Sequence, residues 1–245
     1  MARPRARLFC IPHAGGGAGA YRLWPRDLPA DIEVVAVQLP GREARLAEPP
    51  LRRIDAIVEG LVPALLPHLD LPFSIFGHSM GAVVAAETVA ALSAQAQPMP
   101  QHLFLSARRA AHMPDRYPSL SRLSDAEFAH ELNRRYGGIA QEVLEQPQIM
   151  ELFLPTVRAD IAALEAYQAP APVRIGCPLS IFGGNGDSHV SRAELEAWGD
   201  GATRDRELFM FPGDHFFVVE QRAEVVAHVA TTLARYLDGD ARATG

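Results

Sequence analysis

The chain has 245 residues, 48% of them hydrophobic, which is enough to bury a substantial core and too apolar for a disordered segment. Its net charge of -6 argues against a general nucleic-acid binder, which would be basic, and its length suits one α/β domain spanning 1–245. Cys10 and Cys177 both lie in apolar runs and read as buried thiols of a reducing compartment, not as a disulfide framework or a metal site. The basic N-terminal stretch carries only Leu8 to Ile11 as an apolar run before Pro12. No run elsewhere approaches the roughly 18 residues a membrane span needs. A cytoplasmic protein without a membrane segment is expected.

Arg7 to Ile11 reads as a strand that stops at Pro12 and opens into the glycine-rich loop His13 to Gly19. That loop lacks the lysine of a phosphate-binding loop, so its amides are better suited to a developing negative charge. Ile32 to Val37 is the next strand. Leu51 to Leu69 repeats apolar residues at helical period, with Pro63 as a possible kink. Leu71 to Phe76 then runs into Gly77-His78-Ser79-Met80-Gly81, and Ala82 to Leu92 reads as a helix. A strand, a sharp turn and a helix with serine at the turn is the geometry of a strained, exposed nucleophile. His102 to Ser106 is a further strand, and the alternation predicts a mainly parallel sheet with helices on both faces.

Met113 to Ala169 breaks the alternation. Ser124 and Glu127 form a capping-box signal for a helix ending at Gly137-Gly138, a short piece follows around Ile139 to Leu144, and Pro147 opens a helix to Tyr167 interrupted at Pro155. An all-helical insertion of about residues 113–169 reads as a lid, with Met150, Phe153, Leu154 and Val157 as candidates to line a channel for an apolar chain. Val173 to Phe182 resumes the sheet, Pro178 favouring an edge position or an irregular start. A short helix is expected from Ser191 to Gly199, a last strand from Arg206 to Phe211, a closing helix from Val218 to Leu237 and a frayed tail from Gly239.

A serine hydroxyl needs a base to take its proton and a third group to orient that base. In this architecture those groups come from loops after later strands, in the order serine, acid, histidine. Asp187 follows one such strand and His215 the next, so Ser79, Asp187 and His215 form the expected triad. Asp214 is too close in sequence to His215 to sit behind its ring, and the strand ending at Ser106 is followed by Ala107, Arg108 and Arg109, with no acid. The anionic intermediate needs donors, expected from the backbone N–H groups of Met80 and Ala14. No metal or organic cofactor is required.

The stretches LFCIPHAGGGAGAYRLW, VVAVQLPGRE, FSIFGHSMGA, IFGGNGD and FPGDHFFV together resemble the type II, editing thioesterases of polyketide synthases and non-ribosomal peptide synthetases, over roughly residues 5 to 238. The resemblance implies an α/β-hydrolase fold and places the family's nucleophile, acid and base on Ser79, Asp187 and His215, and its oxyanion amides on Ala14 and Met80. It also implies hydrolysis of acyl groups from the phosphopantetheine thiol of acyl or peptidyl carrier proteins, bound transiently; a monomer is expected. Arg108, Arg109, Arg116 and Arg122 are candidates for docking the acidic carrier. The rival readings are a carboxylester hydrolase with the same triad and a non-catalytic scaffold of the same fold.

Overall fold

A computed structural model of the chain describes residues 4–137 and 146–243, giving the backbone alone for 147 and 238–243. Six strands form one sheet: β1 (Ala6–Ile11), β2 (Ile32–Ala36), β3 (Phe73–His78), β4 (His102–Ser106), β5 (Leu179–Gly184) and β6 (Arg206–Phe211). They lie in the order β2-β1-β3-β4-β5-β6, and every pairing is parallel. The helices are α1 (Trp24–Asp27), α2 (Ile54–Leu65), α3 (Met80–Ala94), α4 (Asp125–Tyr136), α5 (Pro147–Ala166), α6 (Arg192–Glu196), α7 (Phe217–Glu220) and α8 (Arg222–Ala243). None is long and apolar enough, among the described residues, to cross a membrane.

Side chains of a strand alternate between the two faces of its sheet, and here each face has its own core. Ile75, Leu103, Leu105 and Ile181 pack with α2 and α3 on one side. Their neighbours Phe76, Phe104 and Phe182 pack with Trp24, Phe217 and the Val225, Val226 and Val229 row of α8 on the other. The central strands β3, β4 and β5 are buried on both faces, which is why β3 reads as a continuous apolar run and not as an alternating one.

The chain leaves β1 towards β2 on one side and β3 towards β4 on the other, so the strand order reverses between β1 and β3. A crevice opens at the carboxyl ends of strands at such a point. Register makes those ends level: Ile11 pairs with Gly77, and His78 with Ser106. The glycine-rich loop, Ser79 and the start of the β4 loop therefore emerge side by side.

Between β4 and β5 the described residues form α4 and α5 and no strand, as expected; the short piece at 139–144 lies outside the described residues. Both capping boxes form, Ser124 with Glu127 and Ser191 with Glu194. Two expectations need correction, and one alternative is decided. Pro155 does not interrupt α5, because losing one N–H is outweighed by burial of Val157, Ile161, Ala163 and Leu164 along the same helix. Of the two settings that Pro178 favours, an edge position is ruled out: β5 lies between β4 and β6, the irregular start applies, and only Ile175 upstream makes an isolated bridge, to Ala202. The closing helix is broken at Gln221 into α7 and α8, and α8 continues through Ala243 where a frayed tail was expected. Once Val225, Val229 and Leu233 anchor a helix, each added residue gains a bond at the cost of ordering only itself.

Candidate active site

β3 ends at His78 and α3 begins at Met80, so Ser79 must reverse the chain within one residue. It does so at φ 55° and ψ -114°, a region that non-glycine residues occupy only when their surroundings hold them there. Part of that hold is the Ser79 amide donating to the Ser106 carbonyl at 2.8 Å. The rest is close approach of backbone to backbone. A Cβ on Gly77 would lie 2.1 Å from the Gly81 carbonyl oxygen, and one on Gly81 would lie 2.1 Å from that of Ile11. Only glycine fits at either position.

The Ser79 hydroxyl lies 2.9 Å from His215 Nε2, and His215 Nδ1 lies 2.7 Å from Asp187 Oδ2. His215 is carried by the loop after β6 and Asp187 by the loop after β5. All three side chains are buried. Burial pushes the Asp187 carboxyl up, but the His215 hydrogen bond and the amides of His189 and Val190, which donate to Oδ1 at 2.9 and 3.2 Å, together hold it below its usual range. An ionised Asp187 keeps the proton on His215 Nδ1 and leaves Nε2 to accept from Ser79. Asp214, the neighbouring acid, accepts instead from the Phe216 amide within its own turn.

Two further histidines flank the centre. His78 Nδ1 is 2.9 Å from the Ser106 hydroxyl, so its ring is turned from the Ser79 side chain. Burial, reinforced by the nearby His215 and His13, pushes the His78 imidazole well below its usual value. Burial, then His215 and Arg42, lower His13 to about 4. Both rings are neutral at neutral pH and place no competing cation beside His215.

A cavity of about 130 Å³ opens over Ser79 and His215. Ala14 lines it, and Met80 follows Ser79 as the first residue of α3. In the glycine-rich loop the Gly15 amide donates to Asp160 and the Gly16 amide to the His13 carbonyl. Of the four residues expected to line a channel for an apolar chain, Phe153 and Val157 lie on this cavity. Met150 is buried without reaching the cavity, and Leu154 is half-buried against the core, because one helix face cannot present all four. Leu132 and Tyr136 of α4 and Ile161 and Leu164 of α5 complete the apolar wall. Phe153, Val157, Ile161 and Leu164 repeat at helical spacing, a signal legible in the sequence that extends past the stretch singled out there.

The four arginines do not form one surface. Arg108 is buried on the cavity, Arg109 pairs with Asp115, Arg116 pairs with Glu194, and Arg122 is exposed. A further ion pair is not legible in the sequence: Arg42, after β2, binds Asp160 of α5 through both terminal guanidinium nitrogens, at 2.6 and 2.9 Å, in full burial. Nothing local in the sequence joins positions so far apart. No cluster of three metal-ligating side chains occurs among the described residues.

A thioesterase-domain family model matches residues 6–233 of the chain. The gramicidin S biosynthesis protein GrsT of Aneurinibacillus migulanus is 38% identical over 229 residues, covering 94% of this chain and 89% of that one. The RedJ thioesterase of the prodiginine pathway in Streptomyces coelicolor superposes with a TM-score of 0.87 at 35% identity, covering 94% of this chain and 91% of that one. YbtT, the type II thioesterase of the yersiniabactin pathway, gives a TM-score of 0.85 at 31% identity, covering 95% and 94%.

Proposed function

The chain belongs to the thioesterase family, with an α/β-hydrolase fold, and on that premise we propose that it is an editing enzyme whose nucleophile is Ser79. Its substrates in this reading are acyl groups held on the phosphopantetheine thiol of acyl or peptidyl carrier proteins. The observation that carries the reading is the unbroken hydrogen-bonded line from Ser79 through His215 to Asp187 at the base of an apolar cavity.

Ser79 Oγ attacks the thioester carbonyl while His215 Nε2 takes its proton and Asp187 stabilises the imidazolium. The oxyanion is received by the Ala14 and Met80 amides. The choice of Ala14 is supported by the engagement of the next two loop amides elsewhere, and that of Met80 by its place at a helix N-terminus, where the dipole favours negative charge. Each such donor is worth about 10²- to 10³-fold in kcat. Collapse expels the thiolate, His215 returns the proton to it, and the same base then activates water against the acyl-enzyme. The α4–α5 segment serves as a lid over a single domain, and the arm enters beneath it. The carrier binds transiently to a cytoplasmic monomer, and every step uses side chains and amides of this chain.

One acyl group presented as a carrier-protein thioester, a pantetheine thioester and a simple ester tests the substrate class. We expect kcat/KM to fall in that order; equal or better turnover of the ester would make the protein a carboxylester hydrolase. Ser79→Ala should lower kcat/KM by at least about 10³-fold, and an unchanged rate would remove Ser79 from the mechanism.

A further inference from the structure

Arg108 is 7% exposed, and its Nε is buried without a hydrogen-bond partner. Among the described residues no ion pair or side-chain hydrogen bond ties down its guanidinium. The other buried arginines are different: Arg42 holds Asp160, and Arg135 holds Glu131. A buried guanidinium N–H without a partner is costly, and a protein keeps one where something else supplies the partner.

The place where Arg108 sits says what that partner is. It lines the cavity over Ser79, whose wall on the α4 and α5 side is apolar apart from the hydroxyl-bearing Tyr136: Leu132, Phe153, Val157, Ile161 and Leu164. Its backbone is fixed. Ala107 is held at φ 53° with its amide donating to the Phe182 carbonyl at 2.9 Å, and the Trp198 indole donates to the Arg108 carbonyl at 2.8 Å. The strand that delivers it also receives the Ser79 amide at Ser106. A donor carried on a fixed backbone, on the cavity that holds the proposed nucleophile and opposite a largely apolar wall, suits a polar group on the substrate's own chain.

We propose that Arg108 reads the acyl chain, its guanidinium donating to an oxygen carried beyond the thioester carbonyl, so that oxygenated acyl groups are hydrolysed in preference to plain alkyl ones. The partner is an oxygen acceptor, either a hydroxyl or a carboxylate. This rests on the reading of Ser79 as nucleophile and adds a specificity determinant to it.

The test uses three four-carbon acyl groups on pantetheine, butyryl, 3-hydroxybutyryl and succinyl, each rate divided by that of its spontaneous alkaline hydrolysis. For the intact chain we expect kcat/KM for at least one oxygenated group to exceed that for butyryl by about tenfold or more. Whichever of the two is favoured names the oxygen as neutral or anionic. In Arg108→Met the ratio should fall to about one, with butyryl, which has no oxygen to lose, affected least. The Tm should not fall, since the substitution removes a buried donor that has no partner. No preference in the intact chain, equal losses on all three substrates, or a lowered Tm would each overturn the proposal. If Ser79→Ala abolishes butyryl hydrolysis while no preference is found, the fault lies with Arg108 and not with the reading of the nucleophile.

Discussion

Ser79 is held at a positive φ by one hydrogen bond and two glycine contacts, so its hydroxyl is placed by backbone and not by its own rotamer alone. Asp187 acts at one remove, through the imidazole. Asp187→Asn preserves the shape but allows the amide to accept no charge and to favour the wrong His215 tautomer. We expect kcat to fall by about 10⁴-fold with KM little changed, measured on one thioester at saturating and limiting concentration. The glycines make a sharper test of the turn itself. Gly81→Ala drives a Cβ onto the Ile11 carbonyl, where neither backbone can yield, and should cost about 3 kcal/mol or more in urea denaturation. Gly60→Ala, in an exposed turn of α2 with nothing within 4 Å, should instead stabilise by about 0.5–1 kcal/mol.

At the scale of elements, α5 is fastened to the body by two residues one turn apart. Thr156 donates to the Gly41 carbonyl, and Asp160 accepts from Arg42 and from the Gly15 amide. Burial pushes the Asp160 carboxyl up against the pull of Arg42 and of Gly15. The pair therefore joins α5 to the glycine-rich loop beside Ala14. Asp160→Leu alone should cost about 3–5 kcal/mol, because it strands a buried guanidinium. Adding Arg42→Met should recover much of that loss, a non-additivity that a double-mutant cycle measures directly. Additive losses would mean that the two groups do not depend on each other.

Across the whole molecule, buried histidines couple stability to pH. Burial, then Arg235, lowers His102 to about 4; His13 is lowered to about 4 as well, and His78 further. Between about pH 6.5 and 4 the unfolded chain binds protons at these positions that the folded chain refuses, so stability should fall as pH falls through that window. Urea midpoints at pH 7.5, 6 and 5 check the slope. His102→Gln, remote from Ser79 at the β4 start, should flatten it. A slope unchanged by that substitution would show that His102 does not contribute.

Most of the architecture was legible because its signals are local. β4 and β6 have the bounds expected from the sequence, both capping boxes stand where serine and glutamate are three apart, and the Gly-His-Ser-Met-Gly turn carries its own steric reason. Chain order alone assigned Asp187 and His215 to Ser79. The side-chain distances between them, the identity of the cavity wall, the Arg42–Asp160 pair and the solitary burial of Arg108 came only with tertiary structure. Those depend on which residues, up to 136 positions apart, meet once six parallel strands bring their carboxyl ends level, and no local periodicity encodes such a meeting. Hydrophobic period and turn chemistry act over a few residues and sufficed for the frame; partners for buried charge are chosen by packing, across the sheet.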